Sequence, residues 1–210
     1  MDRGTNFGKP RDINHDALGQ VRKLQEIILD RKLFKGYSGT ARIVYGLAPL
    51  IAAFVLSSNL VPPAPLAHLV GWGVVLVVGL VVNYAALAYW FLFNSEVRRN
   101  PIMIKPAIDA VPALAVGAAL SLGLVMAGQY DLLFGAWMSL YGLAQVAYRQ
   151  SLPRGIYLVG LCYIACGAAC FLWPGISFTN PWPMGIVFFL GEMAGGIVLM
   201  KNREENRQSP

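Results

Sequence analysis

An ionisable side chain near the centre of a bilayer costs at least ~2.5 kcal/mol on insertion scales, so each one marks a functional-site candidate. Of the acids in this chain, Glu192 alone lies in the middle of a long apolar run, within Leu190, Gly191, Glu192, Met193, Ala194, Gly195 and Gly196. Gly191 and Gly195 form a small-xxx-small pair that lets a second helix come close, and Gly196 stands beyond the acid on the same run. Glu192 is therefore expected to face protein. The sequence places no Lys or Arg at that depth, so the expected resting form is a protonated carboxyl held by a hydrogen bond. Such a group could serve a proton-coupled transport step or a structural contact between helices, and both readings stand open here.

Candidate partners lie at similar depth in other apolar runs: Tyr141 and Gln145, one helical turn apart on one face, and Asn83 with Tyr84. For each, a structural hydrogen bond competes with a place along a polar path. Asp109 and Asp131 begin their apolar runs, where a helix N-terminus favours negative charge, so both are expected to cap. His15 and His68 are isolated and expected at the surface or the interface. Cys162, Cys166 and Cys170 make a stripe on one helix face, but a metal needs ligands converging from several directions, so the stripe reads as small-residue packing. No catalytic residues, metal site or cofactor is expected, and no acid, base and nucleophile group converges on one face of the membrane.

The elements that position these residues are helices long enough to cross a membrane. The chain is 56% hydrophobic and 13% charged over 210 residues, where a soluble domain carries about 25% charged residues. Spanning runs, each near 20 residues, fall at Ile43 to Ser58, Leu66 to Phe93, Ala107 to Ala127, Asp131 to Tyr148, Ile156 to Trp173 and Pro183 to Met200. Proline and glycine separate them, at Pro62, Pro63, Pro65, Pro101, Gly128, Pro153 and Pro181. The second run is long enough to require tilt, and the first contains Pro49. The expected fold is all-α, a polytopic membrane protein of six transmembrane helices, with residues 1–41 as a cytoplasmic tail, 42–200 as the bundle and 201–210 as a second tail.

Lys and Arg fix the expected orientation, since basic loops resist translocation. All 17 lie in the N-terminal segment up to Arg42, in the loop with Arg98, Arg99 and Lys105, at Arg149 and Arg154, or in the C-terminal tail. The other three loops hold none, which matches six spans with both termini cytoplasmic. A basic balance confined to one membrane face is what insertion demands, so nucleic acid is not an expected partner. The first apolar run is expected to act as an uncleaved insertion signal. Before it, Ala17, Val21, Leu24 and Ile28 recur at helical spacing opposite Arg22, Lys23, Glu26 and Asp30, an amphipathic helix over Asn14 to Leu33 suited to the inner leaflet or to a cytoplasmic partner.

A shift of about 50 residues aligns Gly117, Ala118, Ala119 and Leu122 with Gly167, Ala168, Ala169 and Leu172, a parallel internal repeat built of abundant residue types. The lead-in at Val21 to Phe34, the step Tyr141, Gly142, Leu143, Ala144 and the Gly-rich closing helix at Met184 to Met200 resemble an uncharacterised family of small six-helix bacterial integral membrane proteins. That resemblance implies a bacterial plasma (inner) membrane and carries no activity. The expected function is a non-enzymatic accessory or sensor subunit acting through association, its partners the lipid bilayer and a second protein or a second copy of itself. The alternative is a small proton-coupled transporter or channel using Glu192, with Tyr141 and Gln145 on its path. A path requires a hydrated cavity at these residues, whereas an accessory role fits a dry, glycine-tight contact.

Overall fold

A computed structural model describes residues 19–21, 38–93, 111–147 and 152–208. The chain divides into two units, Met1–Leu33 and Phe34–Pro210. Of the first, Gly19, Gln20 and Val21 are described, as helix; the rest of the amphipathic segment lies outside the described residues, as do Asp109 and the basic loop around Arg98. In the second unit the described residues form helices and turns without a strand: α1 (Gly39–Leu56), α2 (Pro65–Phe93), α3 (Val111–Met126), a 3-10 turn (Tyr130–Leu132), α4 (Leu133–Ala147), α5 (Arg154–Leu172) and α6 (Trp182–Gln208).

Local chemistry sets the boundaries. Ser38 caps α1 by accepting a hydrogen bond from the Ala41 N–H at 3.2 Å. Pro65 opens α2 at the first helical position, where its missing N–H has no helical partner to lose. Gly128, at φ 69°, closes α3: its N–H reaches the Val125 carbonyl and the Gln129 N–H reaches Leu124, the two bonds of a Schellman turn. The extended Trp173, which precedes Pro174, ends α5. Asp131 does not cap α4. Its carboxylate reaches across to accept from the Phe178 N–H at 2.7 Å, tying the α3–α4 turn to the α5–α6 loop.

Among the described residues, four helices are long and apolar enough to cross a membrane: α1, α2, α5 and α6. The protein is therefore an all-helical candidate for a membrane location. The apolar α3 and α4 are shorter, and the segments on their far sides lie outside the described residues. With 29 residues rising 1.5 Å each, α2 is about 43 Å long, which exceeds an upright crossing.

Helix pairing follows the glycines. α1 and α6 run antiparallel: Gly39 meets the backbone of Gly196, Gly46 that of Phe189 and Met193, and Gly185 sits against Pro49 and Ala53. α4 and α5 approach as closely, with Gly142 on the Gly160 carbonyl and Gly167 on that of Gly135. In lipid the apolar surface is satisfied on either side, so such backbone contacts, not burial from water, hold helices together. α6 joins the two pairs through Gly155 against Val198 and Gly191 against Tyr163. α2 leans on α1, its Gly79 receiving the Tyr45 ring, and α3 rests on α4 through a hydrogen bond from the Trp137 indole to Ser121 Oγ at 2.8 Å. The core is aromatic at one end, where Trp72, Phe134 and Phe178 meet edge to face or tilted.

Candidate functional site

Glu192 lies ten residues into α6 and is 1% exposed. The structure corrects the expectation that no Lys or Arg lies at the depth of this acid. Arg42, in the first turn of α1, turns its side chain inward and is itself buried. Its Nε donates to Glu192 Oε2 at 2.8 Å and its Nη2 to Oε1 at 3.1 Å, the two-pronged geometry of an arginine–carboxylate pair. Two phenols complete the set. Tyr141 Oη on α4 donates to Oε1 at 2.6 Å, and Tyr163 Oη on α5 approaches the same oxygen at 3.2 Å. The guanidinium and the two phenols thus converge on one carboxyl group.

Taking two opposite charges out of water is unfavourable unless their geometry is good and their remaining hydrogen-bonding capacity is met. Here four helices each contribute one member, and glycines make the room. A Cβ at Gly46 would stand 3.0 Å from that of Glu192. Gly195 lies under the guanidinium, and Gly191 faces the Tyr163 hydroxyl. The rings of Tyr141, Tyr163 and Phe188 pack against one another with centroids 5.0 to 5.2 Å apart, which seals the carboxylate from that side.

The expected candidates are placed unequally. Tyr141 is at the pair. Gln145, one turn along α4, is buried behind Gly160 with both amide atoms unpartnered, and no hydrogen bond links it to Glu192. Asn83 bonds within its own helix, its Nδ2 donating to the Gly79 carbonyl at 2.9 Å, and Tyr84 is exposed. Gly196 meets Ile43 and the Gly39 carbonyl. His68, expected at the surface, is 1% exposed on the inner face of α2, because the α5–α6 loop folds over it. The three cysteines are free; Cys162 is exposed, Cys170 is buried, and the latter contacts Met138 sulfur to sulfur at 3.9 Å. Among the described residues no three metal-ligating side chains gather.

Arg42 and Tyr163 are the members that sequence reasoning missed. For Arg42 a signal existed: Ser38 is a good N-cap residue, and starting the helix there puts Arg42 one turn inside it. For Tyr163 the signal was its position between Gly160 and Gly167 on one face of α5. Chemically the arrangement neutralises two charges and fixes four helices at one point. It presents no nucleophile next to a base. In comparisons with protein families, with curated proteins and with solved structures, the chain matches none.

Proposed function

We propose that this chain is a six-span membrane protein with both termini cytoplasmic, which acts by association as a non-enzymatic accessory or sensor subunit in a bacterial plasma membrane. The observation that carries the reading is the closure around Glu192: the carboxylate is 1% exposed, engaged by donors from α1, α4 and α5, and flanked by helix contacts too tight for a water channel. The alternation of Lys- and Arg-rich loops with loops lacking both supports the span count and orientation. The four described helices long and apolar enough to cross a membrane support the membrane location.

The alternative, a proton-coupled transporter, draws on one observation, the unpartnered amide of Gln145 one turn from Tyr141. Proton flux separates the two. The full chain is reconstituted in vesicles containing a pH-sensitive dye and challenged with an imposed proton gradient. The accessory reading expects flux no greater than in protein-free vesicles, together with a particle heavier than one chain when the protein is extracted from its native membrane in mild detergent. A flux that vanishes in Glu192→Gln would replace it with the transporter reading.

A further inference from the structure

At the end of the bundle away from Arg42, about 20 Å along α1, the α1–α2 and α5–α6 loops line an open hollow of about 500 Å³. That size falls within the range of small-molecule sites. Its rim carries hydroxyl and amide groups from Ser58, Asn59, Thr179 and Asn180, and Trp182 supplies an aromatic wall. His68 lines it as well, and there the side chain is buried with Nδ1 unpartnered. One turn further along α2, Trp72 also leaves its indole N–H unpartnered, but it lies in the aromatic core against Phe134 and does not line the hollow. Two buried polar atoms without partners, one turn apart, are uncommon in a folded protein, because each forfeits its hydrogen bond to water.

Charge narrows the occupant. The loops that close this end contain no Lys or Arg, and their one acid, Asp131, is engaged by the Phe178 N–H. An anion would meet no cation there, and a cation no free carboxylate. Hydroxyl, amide and imidazole groups beside an indole face suit a neutral molecule with many hydroxyls and apolar C–H faces. The geometry points to a binding site for an uncharged saccharide, either free or as the headgroup of a lipid, with His68 as its buried hydrogen-bonding anchor. This site is separate from the Arg42–Glu192 pair and goes beyond the association reading.

The test is equilibrium binding of radiolabelled N-acetylglucosamine and glucose to the full chain in nanodiscs, with inorganic phosphate and tetramethylammonium as charged competitors. One saturable site per chain is expected, unaffected by either charged competitor. Binding should be roughly tenfold weaker in His68→Leu and partly retained in His68→Gln, which keeps a hydrogen-bonding group. Asn59→Ala, on an exposed loop where folding is not at stake, should also weaken it. Nanodiscs containing a neutral glycolipid distinguish the sources: loss of free-sugar binding there identifies the lipid headgroup, and unchanged binding identifies the free sugar. Absence of saturable sugar binding in the parent, displacement by phosphate or tetramethylammonium, or binding as tight as the parent's in His68→Leu and Asn59→Ala would overturn the proposal.

Discussion

The guanidinium of Arg42 lies against Gly195 so closely that a Cβ at that position would stand 2.7 Å from Cζ and 2.9 Å from Nε. The glycine on α6 and the arginine on α1 therefore form one contact, and neither can change without the other. Gly195→Val should push the guanidinium off Glu192 and destabilise the bundle by about 3 kcal/mol, the upper range for overpacking, since the ion pair is disturbed as well. Gly123→Ala, which meets nothing within 4 Å, should be neutral or gain about 0.5 kcal/mol from helix propensity. Unfolding in mixed micelles by SDS titration reads both.

Removing one member of the buried pair leaves the other uncompensated. Arg42→Met and Glu192→Met should each cost about 3 kcal/mol, whereas the two combined should recover most of that loss. A double-mutant cycle on the same unfolding assay checks it. Additive losses would mean the two charges do not interact.

The two phenols should differ. Tyr141 Oη is 2.6 Å from the carboxylate, while Tyr163 Oη is 3.2 Å away and also near the Phe188 carbonyl at 3.4 Å. Tyr141→Phe should therefore destabilise by about 2 kcal/mol and Tyr163→Phe by about 1 kcal/mol, on the scale of hydrogen bonds to charged and neutral groups. Reversal of that order would count against the geometry.

Gln145 offers the opposite sign. Its amide is buried with no partner for oxygen or nitrogen, so Gln145→Met, similar in shape and apolar, should be neutral or stabilising by up to about 1 kcal/mol. A loss of stability would reveal a partner for the amide.

Much of this architecture was legible from composition and spacing. The long apolar runs mark where helices lie, and Glu192 stands out because a carboxyl in such a run has few inexpensive explanations. The glycines around it are readable as places of close approach. Arg42 was missed despite the N-cap at Ser38, because a basic residue at the edge of an apolar run is ordinarily assigned to the membrane face where cations collect. Whether a long side chain extends outward or folds inward depends on what waits inside, and the partner is 150 residues away. His68 failed for the same reason: nothing near it in sequence shows that Phe178 will cover it. Asp131 looked like a cap because local geometry is all a sequence window contains.

That separation also sets an order of events during synthesis. Of the four described helices long and apolar enough to cross a membrane, α1 is the first to be made and α6 the last. At about 5–20 residues per second, Arg42 must wait on the order of ten seconds or more before Glu192 emerges. Through that interval Arg42 has no Glu192 to pair with. A chain cut short before α6 would keep the Arg42 charge unmatched, a mark by which quality-control proteases could tell an unfinished molecule from a complete one.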